Sequence, residues 1–440
     1  MVYYIKTLIN IVTREGKIMK SNLEYEEALK RLKEYGQEHL LNRYEYLDND
    51  KKQKILEQIK KIDFAQVVDL FNVTSKSAIS SDLQITNIDY VDKANLSEEE
   101  YNKYYEIGKK IIKDGKYAVV TMAGGQGTRL GYVAPKGTFK IGGGIGKSLF
   151  EALSDTIKEA KNKFDTTIPW YIMTSRENNN ATEKFFEKND FFSLPYEDVK
   201  FFKQGELPML DTNGKLMLDE SGLIKLAADG HGGVFESLSR SGYIEDMKRR
   251  GIEWIFISGV DNVLAGLVDP IAVGLAISEG TLATGKSVVK RSPTENVGVF
   301  CKRNGRPSVI EYTEITEEMA NARNKDGELV YGESHILTNL FNIRALENIA
   351  HNKLPYHRAF KKAKYMDENG KIIKPEKPNA YKYEAFLFDA FESLDSMSIL
   401  RVKREDEFAP LKNAEGEDSP NTARQLYINY LERRKKGLIK

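Results

Sequence analysis

At 440 residues the chain exceeds what one hydrophobic core normally fills, so one large domain with smaller flanking regions is expected. Apolar residues make up 41%, enough for a sizeable core, and 66 basic against 65 acidic residues leave a formal charge of +1. That balance attracts neither nucleic acid nor an anionic membrane, so neither is expected as a partner and an anionic ligand must be held by local groups.

No run reaches the ~18–20 apolar residues of a membrane span. The opening stretch Met1–Val12 fails as a signal peptide, because Lys6 interrupts it and no small-residue cleavage site follows. It reads either as an extra strand or as an over-extended reading frame before Met19. Residues 1–110 form a helical N-terminal region in this reading. Ser21 and Glu24 have capping-box spacing, Ala28, Leu32 and Tyr35 recur at helical intervals, and Ile55, Ile59 and Ile62 do so after an expected turn at Asp48-Asn49-Asp50. Lys51, Lys52, Lys60 and Lys61 interleave with acids and read as a solvated face.

From Tyr117 the texture changes. Short apolar runs at Tyr117–Val120, Trp170–Met173 and Trp254–Ile257 alternate with helical patterns at Leu149–Lys163, Ala181–Lys188 and Val234–Arg250. Such alternation predicts a largely parallel sheet with helices on both faces, whose ligands sit beyond the carboxyl ends of the strands. After about residue 280 the strands turn antiparallel, with Asn304-Gly305 as a hairpin turn between Val297–Lys302 and Pro307–Tyr312. The lone Cys301 lacks an internal disulfide partner and reads as packing in a reducing, cytoplasmic compartment. The expected division is 1–110, a catalytic α/β domain 111–392, and a small C-terminal region 393–440 ending in a helix Thr422–Lys436, with no added assembly domain.

The first buried strand runs straight into Ala123-Gly124-Gly125-Gln126-Gly127-Thr128-Arg129-Leu130-Gly131. Glycines there let backbone N–H groups approach phosphate oxygens. The spacing misses the dinucleotide fingerprint, and no acidic residue stands ~20 positions on at a second strand end. Gly142–Ser148 imitates a P-loop but fails by one residue and reads as a connection into the helix after it. Arg129 and Lys136 flank the glycines within one short excursion, where fixed cations can neutralise a triphosphate and its departing pyrophosphate.

This loop, with Pro135-Lys136-Gly137, resembles the signature of the UDP-sugar pyrophosphorylases, the eukaryotic-type UDP-N-acetylglucosamine pyrophosphorylases above all. The likeness extends through Gly36–Leu41, Met173–Ser175, Val260–Asn262, Val309–Ile315 and Phe408–Asn413. It implies a Rossmann-like nucleotidyltransferase core with a mixed, mainly parallel sheet. It also implies that UTP and a sugar 1-phosphate are the partners and Mg²⁺ the cofactor.

Site residues follow from it one by one. Asp261, at a strand's carboxyl end, could equally be a helix cap or a cation ligand; the resemblance makes it the Mg²⁺ ligand. Ala123, Gly124, Gly125, Gln204 and Gly230 become nucleotide contacts, the Gln204 amide suiting the imide edge of uracil. Gly298, Glu311, Phe386 and Phe388 map around the sugar, and Lys412 onto its phosphate. From its own sequence, Phe386-Leu387-Phe388 reads as a buried strand. His231, between glycines, and His335 stand where the acetylglucosamine enzymes carry asparagine. Gly-His-Gly instead resembles glucose-1-phosphate uridylyltransferases and broad-specificity UDP-sugar pyrophosphorylases. The expected reaction is therefore formation of a UDP-N-acetylhexosamine and pyrophosphate, with UDP-glucose or a broad range of UDP-sugars as the alternative.

Overall fold

A computed structural model of the chain describes residues 23–74, 84–142 and 146–439, which form two compact units. The larger unit holds residues from 84 to 205, 230–355 and 385–439. Its sheet has eleven strands among the described residues, and its main path runs Val91–Asp92, Ser398–Arg401, Ala283–Val289, Glu333–Asn342, Trp254–Gly259, Tyr117–Met122, Trp170–Thr174, Val199–Lys203. Every neighbouring pair on this path is parallel except those made by Glu333–Asn342, which runs against both its neighbours.

The apolar runs become central strands because both their faces are covered. Tyr117 and Val119 point into one core layer, with Leu149, Leu153 and Leu275 from helices Leu149–Phe164 and Pro270–Glu279. Ala118, Val120 and Met122 point into the other, with Phe235, Leu238 and Leu346 from helices Val234–Arg240 and Ile343–His351. Where the expected helix Val234–Arg250 would run on, Gly242 at φ +73° breaks it, and a second helix begins at Tyr243.

The hairpin at Asn304-Gly305 forms, both residues having positive φ (48° and 80°) as a tight two-residue turn demands. Cys301 lies buried in that hairpin, and burial pushes its thiol up to about 11. The last helix is Pro420–Lys435, with proline in its first turn.

The smaller unit combines 23–74 with 206–229 and 356–384. Leu32, Leu40, Ile55 and Ile59 share a core with Leu210, Ile224 and Tyr383. Gln37 joins the segments, its amide donating to Gly214 O (3.1 Å) and accepting from the Leu216 N–H (2.9 Å). Asp48, expected in a turn, caps the helix Asn49–Lys61 by accepting from the Lys51 N–H.

The three-part division is thus corrected. Two insertions complete the core of the N-terminal helices, and Ser398–Arg401, placed outside the catalytic region, pairs with Ala283–Val289 inside the main sheet. Burial of apolar side chains joins segments far apart in sequence, and local patterning carries no trace of that. Met1–Val12, Met19, Ser21 and positions 143–145 lie outside the described residues. No helix among the described residues is long and apolar enough to cross a membrane.

One helix crossing fixes the layer beneath the site. Gly108 of Glu98–Lys113 lies against the Pro270 carbonyl, and Gly274 of Pro270–Glu279 against the Tyr104 carbonyl, backbone on backbone. A methyl group at either position has nowhere to go, because backbone cannot yield as a side chain can. Gly274→Ala should therefore cost about 3 kcal/mol, measured as a lowered denaturant midpoint, whereas Gly280→Ala in open space should cost less.

Candidate active site

The Tyr117–Met122 strand delivers Ala123–Gly125 at its carboxyl end, where the Ala123 N–H donates to Met173 O at 2.7 Å. The loop then folds back. Gly127 N–H reaches Ala134 O (3.0 Å) and Lys136 N–H reaches Gly125 O (3.1 Å), so Lys136 returns to the strand end it left. The buried Asn178 amide braces the turn, donating to Ala123 O (2.9 Å) and Gly125 O (3.4 Å).

Gln204 is anchored by its N–H on Thr174 O (2.8 Å), and its amide lies directly on Gly124: a Cβ there would stand 2.8 Å from its Cδ. Any side chain at 124 would have to push that amide aside. Gly125 is exposed, with open space where a side chain would be. Arg129 is exposed on the Thr128–Leu130 turn and pairs with no carboxylate among the described residues.

Asp261 follows the Trp254–Gly259 strand, and its carboxylate meets the Lys136 ammonium at 3.4 Å. Burial works against its charge, but Lys136 and then Lys412 outweigh that and hold it below the ordinary carboxylate value. Lys412 arrives from the far end of the sequence. Asn262, buried, donates from its amide to Glu407 O (2.7 Å) and accepts from the Ala409 N–H (2.9 Å), while Leu411 N–H donates to Asp261 O (2.9 Å). Lys412 also pairs with Asp418 at 3.4 Å.

Asp261 is not the helix cap that its position also allowed: the residues after it make a turn rather than a helix. No group of three or more His, Cys, Asp or Glu that could hold a metal occurs among the described residues. The donor set here is one ionised carboxylate, paired with the Lys136 ammonium and within the field of Lys412. That suits an ion that takes one or two carboxylates and fills its shell from substrate phosphates, as Mg²⁺ does.

A third cluster gathers the two histidines. Gly230, at φ +92°, leads into His231, whose Nδ1 accepts from the Leu387 N–H (3.0 Å) and whose ring stacks on Phe386 at 5.5 Å. Leu387 and Phe388 open a tight helical turn, Leu387–Ser393, that extended Phe386 precedes, rather than the strand the pattern suggested; Phe388 is core and Phe386 half-buried. His335 packs edge-on to Phe300, Phe388 and Phe391, with its ring Nε2 3.2 Å from Asn339 Oδ1. Burial, and then the electrostatic influence of nearby His231, lower its pKa from the ordinary 6.5 to about 3, so it is neutral at physiological pH. His335 N–H donates to Gly298 O (2.8 Å), and Gly298 backs onto the Glu311 carboxylate.

The sequence profile of the UTP–glucose-1-phosphate uridylyltransferase family matches residues 65–418. The chain belongs to this family. Within it, the chain is 36% identical over 425 residues to UDP-N-acetylglucosamine pyrophosphorylase of Saccharomyces cerevisiae, covering 90% of this chain and 88% of that protein. It is 39% identical over 350 residues to UDP-N-acetylhexosamine pyrophosphorylase-like protein 1 of Homo sapiens, covering 77% and 69%. The crystal structure of uridine diphosphate N-acetylglucosamine pyrophosphorylase from Trypanosoma brucei, in complex with an inhibitor, superposes with a TM-score of 0.80 at 29% identity, covering 92% of this chain and 84% of that one. The uridylyltransferase resemblance read from the sequence is thus borne out.

The fold brings the expected residues into three groups: Ala123–Gly125 with Gln204; Lys136, Asp261 and Lys412; and His231, Phe386, Phe388, His335, Gly298 and Glu311. Arg129 reaches none of the three. Asn178 and Asn262 were missed as working residues. Asn262 was in view beside Asp261, but only long-range contacts give either asparagine a task. A cavity of about 1370 Å³ lies elsewhere, lined by Lys93, Asp269, Lys286 and Glu407, whose charges pair with one another.

The buried imidazole makes a pH prediction. Between about pH 6.5 and 3 the unfolded chain binds a proton at His335 that the folded chain refuses, so acidification in that window lowers stability. His335→Asn should lose less stability than wild type between pH 7.5 and pH 5, compared by urea midpoints.

Proposed function

We propose that the chain joins UTP and N-acetylglucosamine 1-phosphate into a UDP-N-acetylhexosamine, releasing pyrophosphate. The observation that carries this is the Lys136–Asp261–Lys412 group, set beside a glycine loop at the carboxyl end of a central strand. Relatives over 30% identical across most of the chain, named for acetylated UDP-hexosamines, support the choice of sugar. A glucose preference is the second reading, favoured by the imidazoles at 231 and 335.

The reaction is an in-line displacement. A phosphate oxygen of the sugar 1-phosphate bonds to the α-phosphorus of UTP, and the bond from that phosphorus to the pyrophosphate oxygen breaks. The attacking oxygen is already anionic near neutral pH, so no general base is needed, and burial makes His335 too weak a base to serve as one. Catalysis then rests on positioning and charge neutralisation.

Gln204 reads the uracil edge while Ala123, Gly124, Gly125 and Gly230 let the nucleotide lie against backbone. Arg129 and Lys136 steady the triphosphate, and Lys412 holds the sugar phosphate. Glu311 accepts from sugar hydroxyls, and Phe386 and Phe388, with the two imidazoles and Gly298, wall the ring. Asp261 would hold Mg²⁺ together with substrate phosphates, and the bound ion would neutralise charge developing on them. A reducing cytoplasmic setting is part of the proposal, supported by the single, buried Cys301.

UTP offered with N-acetylglucosamine 1-phosphate, glucose 1-phosphate and galactose 1-phosphate in parallel, with pyrophosphate followed, should give the highest kcat/KM with the acetylated sugar. A higher value with glucose 1-phosphate would establish the second reading. Lys136→Ala should lower kcat by about 10²–10³ with an unchanged circular dichroism spectrum. Asp261→Asn should abolish the response of the rate to added Mg²⁺, and an unaltered Mg²⁺ titration would remove Asp261 from the metal.

A further inference from the structure

Two buried asparagines, neither in the three groups of expected residues, hold the loops of the site from opposite segments. Asn178 caps the entrance to helix Asn179–Lys188. Its Oδ1 accepts from the Ser175 N–H (2.8 Å), and its backbone N–H donates to Ser175 Oγ (3.1 Å). These bonds tie it to the end of the strand Trp170–Thr174, where the Thr174 carbonyl anchors Gln204. With its orientation fixed, its Nδ2 is left to grip the carbonyls of Ala123 and Gly125.

Asn262 is the counterpart on the other side. Its Oδ1 accepts from the Leu264 N–H (3.2 Å) and the Ala409 N–H (2.9 Å), and its Nδ2 donates to Glu407 O (2.7 Å). The Glu407 side chain is itself pinned by Lys286 (2.6 Å) and Lys93 (3.4 Å) inside the protein. The segment ending in Lys412 is therefore held at its root, by the side chain next to Asp261 in sequence.

We infer that Asn178 and Asn262 are separate positioning residues, Asn178 for the nucleotide half of the site and Asn262 for the sugar-phosphate half. The inference rests on the uridylyltransferase reading. Each amide fixes backbone carbonyl oxygen through an Nδ2 donor, and each keeps its own turn through an Oδ1 acceptor, which in Asn262 also takes the Ala409 N–H. Donor and acceptor can therefore be separated by an isosteric change. Asn178→Asp and Asn262→Asp retain the acceptor and remove the donor.

Initial rates are measured for both variants with UTP and with whichever sugar 1-phosphate wild type turns over best, alongside thermal midpoints. Asn178→Asp should raise KM for UTP about tenfold and leave KM for the sugar phosphate within about twofold; Asn262→Asp should do the reverse. Should either aspartate variant not fold, Asn178→Ser and Asn262→Ser carry the same readout.

Both KM values rising together in step with a lowered thermal midpoint would mean general structural roles and overturn the inference. Unchanged KM values in either variant would overturn it too. Failure of wild type to turn over any sugar phosphate with UTP would instead overturn the underlying reading, so the two failures are distinct.

Discussion

The site depends on keeping one carboxylate ionised where burial works against its charge. Asp261 stays charged because Lys136 stands 3.4 Å away and Lys412 adds its field. Neither lysine is near it in sequence, and neither sits on a regular helix or strand of any length. Each is carried by a loop whose backbone must be held in one place for the electrostatics to act. The molecule therefore invests buried amides where a simpler fold would leave exposed turns, with Asn178 under the Ala123–Gly125 turn and Asn262 under the segment that ends in Lys412.

That bracing continues inward as charge. Lys286, almost wholly buried, lies 2.8 Å from Asp269 and 2.6 Å from Glu407, and Lys93 pairs with the same two carboxylates. Two cations balance two anions, and the partners hold Asp269 well below the ordinary carboxylate value against the pull of burial. A buried ion cluster is weak as a source of stability, since desolvation offsets most of the attraction. Its directional contacts are nonetheless hard to rearrange. Here they fix the start of helix Pro270–Glu279, which Asp269 caps, and the root of the Lys412 segment at once.

The sequence made much of this legible, and the reason is local. Strands buried on both faces are written as unbroken apolar runs, and ligands gather where such strands end, so the glycine loop after Tyr117–Met122 stood out by position, while Gln204 and Asp261 needed the resemblance as well. Asn304-Gly305 was readable because only certain residues tolerate positive φ. The two insertions, 206–229 and 356–384, were not readable, because their leucines and tyrosines join a core begun more than a hundred residues earlier. Lys412 looked like one lysine among many and needed the resemblance. The asparagines were unreadable for the same physical reason: an amide's task is set by which carbonyls the fold brings to it.

The histidines show how the reading of a residue changes once its surroundings are known. Nδ1 of His231 is occupied by the Leu387 N–H, so the neutral ring carries its proton on Nε2 and that nitrogen is a donor. His335 is enclosed by three aromatic rings and remains neutral, so it contributes shape and dipole rather than charge. A neutral donor can serve an acetamido carbonyl as an asparagine amide does, and it can serve a hydroxyl as well. The exchange of amide for imidazole therefore keeps the hydrogen-bonding polarity of the position while stiffening and enlarging it.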